Sequence, residues 1–239
     1  GDEFYILQSN PLEILNQINY NEKPEEVEDF GGESRDVEES EEFEEEITPI
    51  QKQTQTKVMI SLEKLKQKNQ AIKTNSKSLG LVKIENIITQ SGRHPSSFIE
   101  KQDYETYENL IYNNLYELIN NFNKLWIRTS DFKTNEYKNL NPNQIKEENP
   151  LLGIHGIRFS LNHPELLKSE IRALKRIYDL MISRSGGNSE DLEFGILIPH
   201  VTTTKEIQEV KSYIDEIGFS KKIGILIENI NDCEPKDVE

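Results

Sequence analysis

From residue 57 onward, short apolar runs alternate with segments of helical composition. The alternation predicts parallel βαβ units, and runs that are apolar throughout are typical of strands covered on both faces. Pattern alone allows an open doubly wound sheet or a barrel. No glycine-rich phosphate-binding fingerprint follows a predicted strand, which argues against a dinucleotide-binding fold. The predicted strands lie at 57–62, 79–85, 124–129, 151–158, 194–201 and 222–228, and the predicted helices at 63–73, 103–122, 164–184 and 205–217, the last capped by Gly218.

An acidic segment at residues 21–56 precedes this pattern. It is dense in glutamate and nearly without aliphatic side chains, so it cannot bury enough apolar surface to offset the loss of chain entropy. We therefore predict that it is disordered, and interpret it as a solvated linker in preference to an acidic docking tail. The predicted division is a short strand and helix at 1–20, the linker at 21–56 and the α/β domain at 57–239.

The charge balance and the cysteine content narrow the classes of partner and compartment. The formal net charge is -15, and a surface of this sign repels nucleic-acid phosphates and anionic lipids. We therefore expect no nucleic acid as a partner. The single cysteine, Cys233, excludes a disulfide within the chain and fits a reducing cytoplasm. No apolar run approaches the ~20 residues of a membrane-spanning helix, so a cytoplasmic protein without membrane contact is expected.

Polar and charged side chains gather where the predicted strands end. In α/β barrels the active site lies at this end of the strands, so the pattern favours a site there. Histidines at strand ends are also common as hydrogen-bonded groups without a functional role, and His94 we interpret as holding a loop. The residues at the predicted strand ends are Glu85, Arg128, His155, Arg158, His200 and Glu228.

Five stretches follow one another along the chain: LGLVKIE, WIRTSDFKTNEYKNL, EENPLLGIHGIR, ILIPHVTT and IGILIE. In this unbroken order they resemble the C-terminal phosphoenolpyruvate-binding barrel of the phosphoenolpyruvate synthase (pyruvate, water dikinase) family. The stretch WIRTSDFKTNEYKNL is nearly the family's R-x-x-D-F-x-[ST]-N-E-Y-x-N-L signature, and EENPLLGIHGIR is similar to E-E-N-P-M-L-G-[FW]-R-G. LGLVKIE resembles G-L-x-R-x-E, ILIPHVTT resembles I-M-[IV]-P-F-V-R-T, and IGILIE resembles the strand that carries a metal-binding glutamate. The resemblance covers about residues 54–230, and residues 1–11 resemble the last strand of the family's ATP-grasp domain.

This resemblance implies a TIM-type (β/α) barrel that holds pyruvate as its enolate beside Mg²⁺ and phosphorylates it from a phosphohistidine on a swivelling domain. Because enolate and phosphoryl group are both anionic, cations must stabilise them. The residues that match the family's substrate-binding positions are Lys83, Arg128, His155 and, less directly, Arg158. Glu228 matches its metal ligand.

The chain also departs from the family pattern. Family arginines are replaced by Lys83, His155, Thr202 and Asn10. The family's second metal ligand, its Cys-Gly general-acid motif and its T-x-H phosphohistidine motif do not occur, and Cys233 in NDCEP does not match the general acid. We therefore expect an incomplete barrel of about six βα units that is not active alone.

Two hypotheses follow from these departures. The chain could be a barrel that still binds phosphoenolpyruvate or pyruvate with Mg²⁺ and works with other chains. It could instead be a non-catalytic pseudoenzyme or an interaction subunit that docks to a full synthase. Under either hypothesis an incomplete barrel exposes strand edges, so self-association or a complementing protein chain is expected.

Overall fold

The computed structural model describes residues 58–133, 140, 147–150, 152–219 and 221–226. All of them fall within one unit of the chain, Ile47–Glu239. The predicted segments 1–20 and 21–56 lie outside the described residues. The division into three domains and the disorder of the acidic linker therefore stay predictions.

A five-stranded parallel sheet forms the centre of the described structure. The strands follow one another in space in the same order as along the chain, from β1 to β5. Because each crossover then advances by one strand in the same direction, right-handed crossovers place the helices on one face of the sheet. The bounds are β1 Ile60–Leu62, β2 Ser78–Lys83, β3 Lys124–Arg128, β4 Glu193–Ile198 and β5 Lys222–Ile225.

This strand order confirms the predicted α/β class and fits the barrel-type arrangement. A doubly wound sheet reverses its strand order at a switch point, whereas a barrel sheet runs in sequence. The five strands do not close on themselves within the part of the chain that the structure describes. Of the six predicted strands, the fourth, at 151–158, is wrong.

Seven α-helices occur within the described ranges, and none of them is long and apolar enough to cross a membrane. The longest one begins and ends where the sequence predicts, and the last one is capped by Gly218, whose φ of 69° is the left-handed conformation typical of a helix cap. The bounds are α1 Lys68–Lys73, α2 Ile84–Gln90, α3 Pro95–Lys101, α4 Tyr104–Tyr116, α5 Gly156–Asn162, α6 Pro164–Arg184 and α7 Thr204–Ile217.

The predicted strand at 151–158 is replaced by a turn and the start of α5. Gly156 has φ +54°, a left-handed conformation that favours glycine. A Cβ atom there would lie 3.1 Å from Cβ of His200, so the glycine also allows close approach of the segment after β4. Short apolar runs do not distinguish a strand from the start of a helix, which is why the prediction of a strand here is wrong.

Other predicted bounds need smaller corrections. The strand predicted to reach Glu85 ends at Lys83, and α2 begins directly at Ile84, which places Glu85 in the first turn of a helix. The helix predicted at 103–122 ends at Tyr116. The short helices α2 and α3 were not predicted, because each has only seven residues.

The main core lies between one face of the sheet and the helices. Alternate residues of the strands point into it, including Leu125 and Ile127 of β3 and Ile196 and Ile198 of β4. α4 packs against α6, as expected for two helices on the same face of a sheet. Tyr107 of α4 is fully buried in this core.

The opposite face of the sheet carries the single tryptophan, Trp126 of β3. Its indole nitrogen donates to Oε1 of Glu193 at 2.9 Å. A Cβ atom on Gly195 would lie 2.3 Å from Cε3 of this ring, and one on Gly224 would lie 3.2 Å from its Cζ3. The indole therefore lies directly across the two glycines, and this explains why β4 and β5 carry glycine at these positions.

Candidate functional site

The segment that follows β3 supplies a run of buried polar residues. Arg128, Thr129, Ser130 and Asp131 are each at most 6% exposed. Buried polar groups need partners within the protein, and each of these residues has one. The amide of Thr129 donates to the carbonyl oxygen of Leu197 in β4 at 2.9 Å, which anchors the segment against the neighbouring strand.

Arg128 forms a buried ion pair with Glu85 of α2. The two side chains are only 7% and 4% exposed. Burial raises the pKa of Glu85 from its ordinary value of 4.5 to about 7, although the charge of Arg128 acts in the opposite direction. The loss of hydration therefore outweighs the attraction within the pair. Nε of Arg128 and Oε2 of Glu85 have no hydrogen-bond partner among the described residues.

Asp131 is held between two histidines. Nδ1 of His155 lies 2.8 Å from its Oδ1, and Nε2 of His200 lies 3.3 Å from its Oδ2. Burial alone would raise the pKa of Asp131, but hydrogen bonds from both histidines and the charge of Arg128 outweigh it and hold the pKa below its ordinary value. Since an ionised carboxylate only accepts hydrogen bonds, each imidazole presents an N–H to it.

Ser130 leads into a second buried network, which sequence reasoning missed. Glu170 of α6 is fully buried and accepts the amide of Ser130 at 3.1 Å and the hydroxyl of Tyr107 at 2.7 Å. Burial raises the pKa of Glu170, against these hydrogen bonds. The network ties the segment after β3 to α4 and α6. An acidic residue inside an amphipathic helix gives no sequence signal that would identify it.

The two other predicted cations lie at the same end of the sheet. Lys83 is the last residue of β2 and is paired in register with Arg128 of β3. Its Nζ lies 4.0 Å from Oε1 of Glu63, and its side chain is 13% exposed. Arg158 lies in α5, and its Nη1 donates to the carbonyl oxygen of Leu152 at 3.4 Å.

Two further positions complete the comparison with the predicted site. Thr202 stands where the family has an arginine. It lies next to the N-cap of α7, and its amide donates to Oε2 of Glu206 at 2.8 Å. His94 is the N-cap of α3 and accepts the amide of Ser96 at 3.2 Å, in keeping with its predicted structural role. Glu228, the predicted metal ligand, lies outside the described residues.

The carboxylates of the described site do not fit Mg²⁺. This ion needs near-octahedral oxygen ligands and binds through free carboxylates and water. Glu85 is neutralised by Arg128, and the groups beside Asp131 are histidine nitrogens, which Mg²⁺ does not favour as ligands. A magnesium site would therefore need carboxylates outside the described residues, such as the predicted ligand Glu228.

Comparison with known proteins gives a match over residues 37–229 to the family described as "PEP-utilising enzyme, PEP-binding domain". The chain is 30% identical over 189 residues to the probable phosphoenolpyruvate synthase of Methanothermobacter thermautotrophicus, a match that covers 76% of the chain and 26% of the relative. It is 29% identical over 188 residues to the phosphoenolpyruvate synthase of Pyrococcus furiosus, covering 75% of the chain and 22% of the relative.

A third relative, the probable phosphoenolpyruvate synthase of Methanocaldococcus jannaschii, is 30% identical over 210 residues. That match covers 83% of the chain and 17% of the relative. The chain thus spans about a quarter or less of the length of these curated relatives.

Proposed function

Since this chain belongs to the family of PEP-utilising enzymes and matches their PEP-binding domain, we propose that it binds phosphoenolpyruvate or pyruvate at the carboxyl ends of its strands. We further propose that it does not transfer a phosphoryl group by itself. The 239 residues contain no T-x-H motif for a phosphohistidine, so the phosphoryl donor would have to come from elsewhere.

One observation carries this proposal. Lys83 and Arg128 are paired in register at the ends of β2 and β3, so two cationic residues lie side by side where barrel active sites form. A ligand with a phosphate and a carboxylate needs such a pair of positive charges. Arg128 and Lys83 differ in how they can bind an anion. A guanidinium can form two parallel hydrogen bonds to it, whereas an ammonium group cannot.

The alternative is a non-catalytic interaction protein, and the Arg128–Glu85 pair favours it. A guanidinium that is already neutralised by a buried carboxylate attracts an anion less strongly. The replacement of two family arginines by His155 and Thr202 reduces the positive charge of the site further. This alternative predicts no phosphoenolpyruvate binding and a stable complex with another protein.

Isothermal titration with phosphoenolpyruvate separates the two hypotheses. We expect saturable binding that is lost in Lys83→Gln. Glu85→Gln should bind more tightly than the wild type at pH 8, because it removes the charge that neutralises Arg128. Adding Arg128→Met to Glu85→Gln should abolish that gain, and the pair of substitutions leaves no buried charge unpaired.

The matched control is Lys124→Gln, which removes a cation from the opposite end of β3. Loss of binding in this variant as well would indicate a general effect of charge and contradict a site at the strand ends. If neither the wild type nor any variant shows a heat of binding at millimolar phosphoenolpyruvate, the proposal is overturned and the non-catalytic alternative is favoured. Mg²⁺ dependence that disappears in Glu228→Ala would support the predicted role of that residue.

We also propose that the sheet is completed by self-association or by a complementing chain. Within the described ranges the sheet ends at β1 and β5, which have only three and four residues. Unpaired strand edges favour pairing with further strands. Light scattering of the purified chain tests self-association, and a monomer at all concentrations would leave only the complementing chain.

A further inference from the structure

Asp131, His155 and His200 form a compact cluster of potential metal ligands. One ligand atom from each side chain lies within 4.8 Å of the other two. His155 approaches Oδ1 of Asp131 at 2.8 Å, and His200 approaches Oδ2 at 3.3 Å. Ligand atoms at 2.0–2.1 Å from a tetrahedral zinc ion lie about 3.3 Å apart. The three side chains therefore lie within reach of a single ion, and small rotations would bring their ligand atoms to this spacing.

The chemical type of the ligands selects among cations. Two imidazoles and one carboxylate suit Zn²⁺ and similar transition metals, whereas Mg²⁺ and Ca²⁺ prefer oxygen ligands. Three protein ligands leave one tetrahedral position for water or an anionic ligand. The residues thus offer the ligand set of an open zinc site.

The backbone holds the two histidines in place before any ion binds. His155 is the N-cap of α5, and the amide of Ile157 in the same helix donates to the carbonyl oxygen of Pro199 at 3.2 Å. This bond fixes the start of α5 against the segment that carries His200. The two imidazole rings meet edge to face with centroids 4.1 Å apart.

His200 itself has φ 55°, a left-handed conformation that is uncommon for a residue other than glycine. Such conformations concentrate at functional sites, where the surrounding structure maintains them. Here the conformation places the imidazole across Gly156 and against Asp131. His155 and Asp131 are buried, whereas the His200 side chain is 12% exposed, so an ion can reach the cluster from the His200 side.

We propose that Asp131, His155 and His200 bind a single divalent transition-metal ion of the zinc class. The ion would take the place of the protons that now lie between the imidazoles and the carboxylate, and binding would release protons to the solvent. This proposal does not rest on phosphoenolpyruvate binding, because the cluster is defined without Lys83 or Arg128.

The test is titration of the purified full chain with Zn²⁺, followed by calorimetry, and with Co²⁺, followed by its visible absorption. Every protein in the series carries Cys233→Ser, so that the thiol does not compete for the metal. We expect one equivalent to bind and expect His155→Ala and His200→Ala each to weaken binding at least about tenfold. His163→Asn is the matched control, since it alters a histidine outside the cluster, and it should bind like the parent.

The NMR resonances of the four histidine side chains provide a second check. They are measured in the chain that carries only Cys233→Ser, so this check does not depend on whether the histidine variants fold. Added Zn²⁺ should shift the imidazole signals of His155 and His200 and leave those of His94 and His163 in place. The proposal is overturned if Zn²⁺ does not bind at millimolar concentration. It is equally overturned if binding is unaffected by both cluster substitutions and the signals of His155 and His200 do not move.

Discussion

Replacing Glu85 by glutamine should stabilise the protein at alkaline pH, even though it breaks a buried ion pair. The Glu85 carboxylate is 4% exposed and contacts Arg128. An ion pair of this kind is usually expected to stabilise the folded protein. The raised pKa of Glu85 indicates the opposite. It means that the folded protein stabilises the neutral carboxyl relative to the ionised carboxylate.

The magnitude follows from the two pKa values. In the unfolded chain the carboxyl titrates near its ordinary value of 4.5, and in the folded protein it titrates at about 7. Since the folded-state pKa is the higher one, stability from this group is fully present below pH 4.5. It falls as the pH rises from there to 7 and is lost above that value. Each pH unit in this window is worth about 1.4 kcal/mol, so ionisation costs about 3 kcal/mol at pH 8.

Glutamine resembles the protonated carboxyl and keeps an oxygen that can accept from Arg128. Glu85→Gln should therefore match the wild type near pH 4.5 and exceed its free energy of unfolding by up to about 3 kcal/mol at pH 8. Urea denaturation at half-unit steps of pH measures the difference. Glu170, whose pKa is also raised by burial, titrates alike in both proteins and cancels in the difference.

Glu117→Gln serves as the control, because it removes an exposed carboxylate that pairs with Lys68 at 2.8 Å. Water screens such a pair, so this variant should follow the wild type across the whole pH range. If Glu85→Gln is instead less stable than the wild type at pH 8, the ion pair is net favourable and the reasoning from desolvation is refuted.

Two further substitutions test the packing around the site and the sheet. Tyr107→Phe removes a buried donor to Glu170 and should lower the free energy of unfolding by about 1–3 kcal/mol, with a urea midpoint that does not move contradicting this. Gly195→Ala places a methyl group where a Cβ atom would lie 2.3 Å from Trp126, so it should cost about 1–3 kcal/mol through overpacking. The same substitution should shift the fluorescence of Trp126, and an unchanged spectrum would show that the indole is not held against β4.

Much of the fold could be predicted because its signals are local. α6 and α7 have apolar residues at helical spacing and defined ends at Pro164 and Gly218, and both helices begin and end within one residue of the prediction. The run at 151–158 failed because eight residues are too few for periodicity to separate a strand from a turn and a helix. What decided the outcome was contact between Gly156 and the segment after β4, which is remote in sequence.

The neighbourhood of Lys83 and Arg128 was predictable from the sequence, whereas their ion pairs were not. Residues at the ends of parallel strands must lie at one edge of the sheet, and Lys83 and Arg128 are indeed neighbours. The partner of Arg128 is Glu85, and that of Lys83 is Glu63. Which carboxylate a buried cation selects depends on helix placement and desolvation, and neither is encoded in the spacing of residues along the chain.

The charges of the site connect the two proposals. At pH 8 the negative charges of Glu85 and Asp131 offset the positive charges of Lys83 and Arg128. The described site therefore attracts an anion only weakly. A divalent ion in the Asp131–His155–His200 cluster would add two positive charges beside Arg128.

Phosphoenolpyruvate should then bind more tightly to the zinc-loaded chain than to the metal-free chain at constant free zinc. Zinc should in turn bind more tightly in the presence of the ligand, because coupling between two sites is reciprocal. His200→Ala should abolish the effect in both directions. If both sites bind and neither affinity depends on the other, the anion does not bind near the cluster, and the two functions of this end of the sheet are separate.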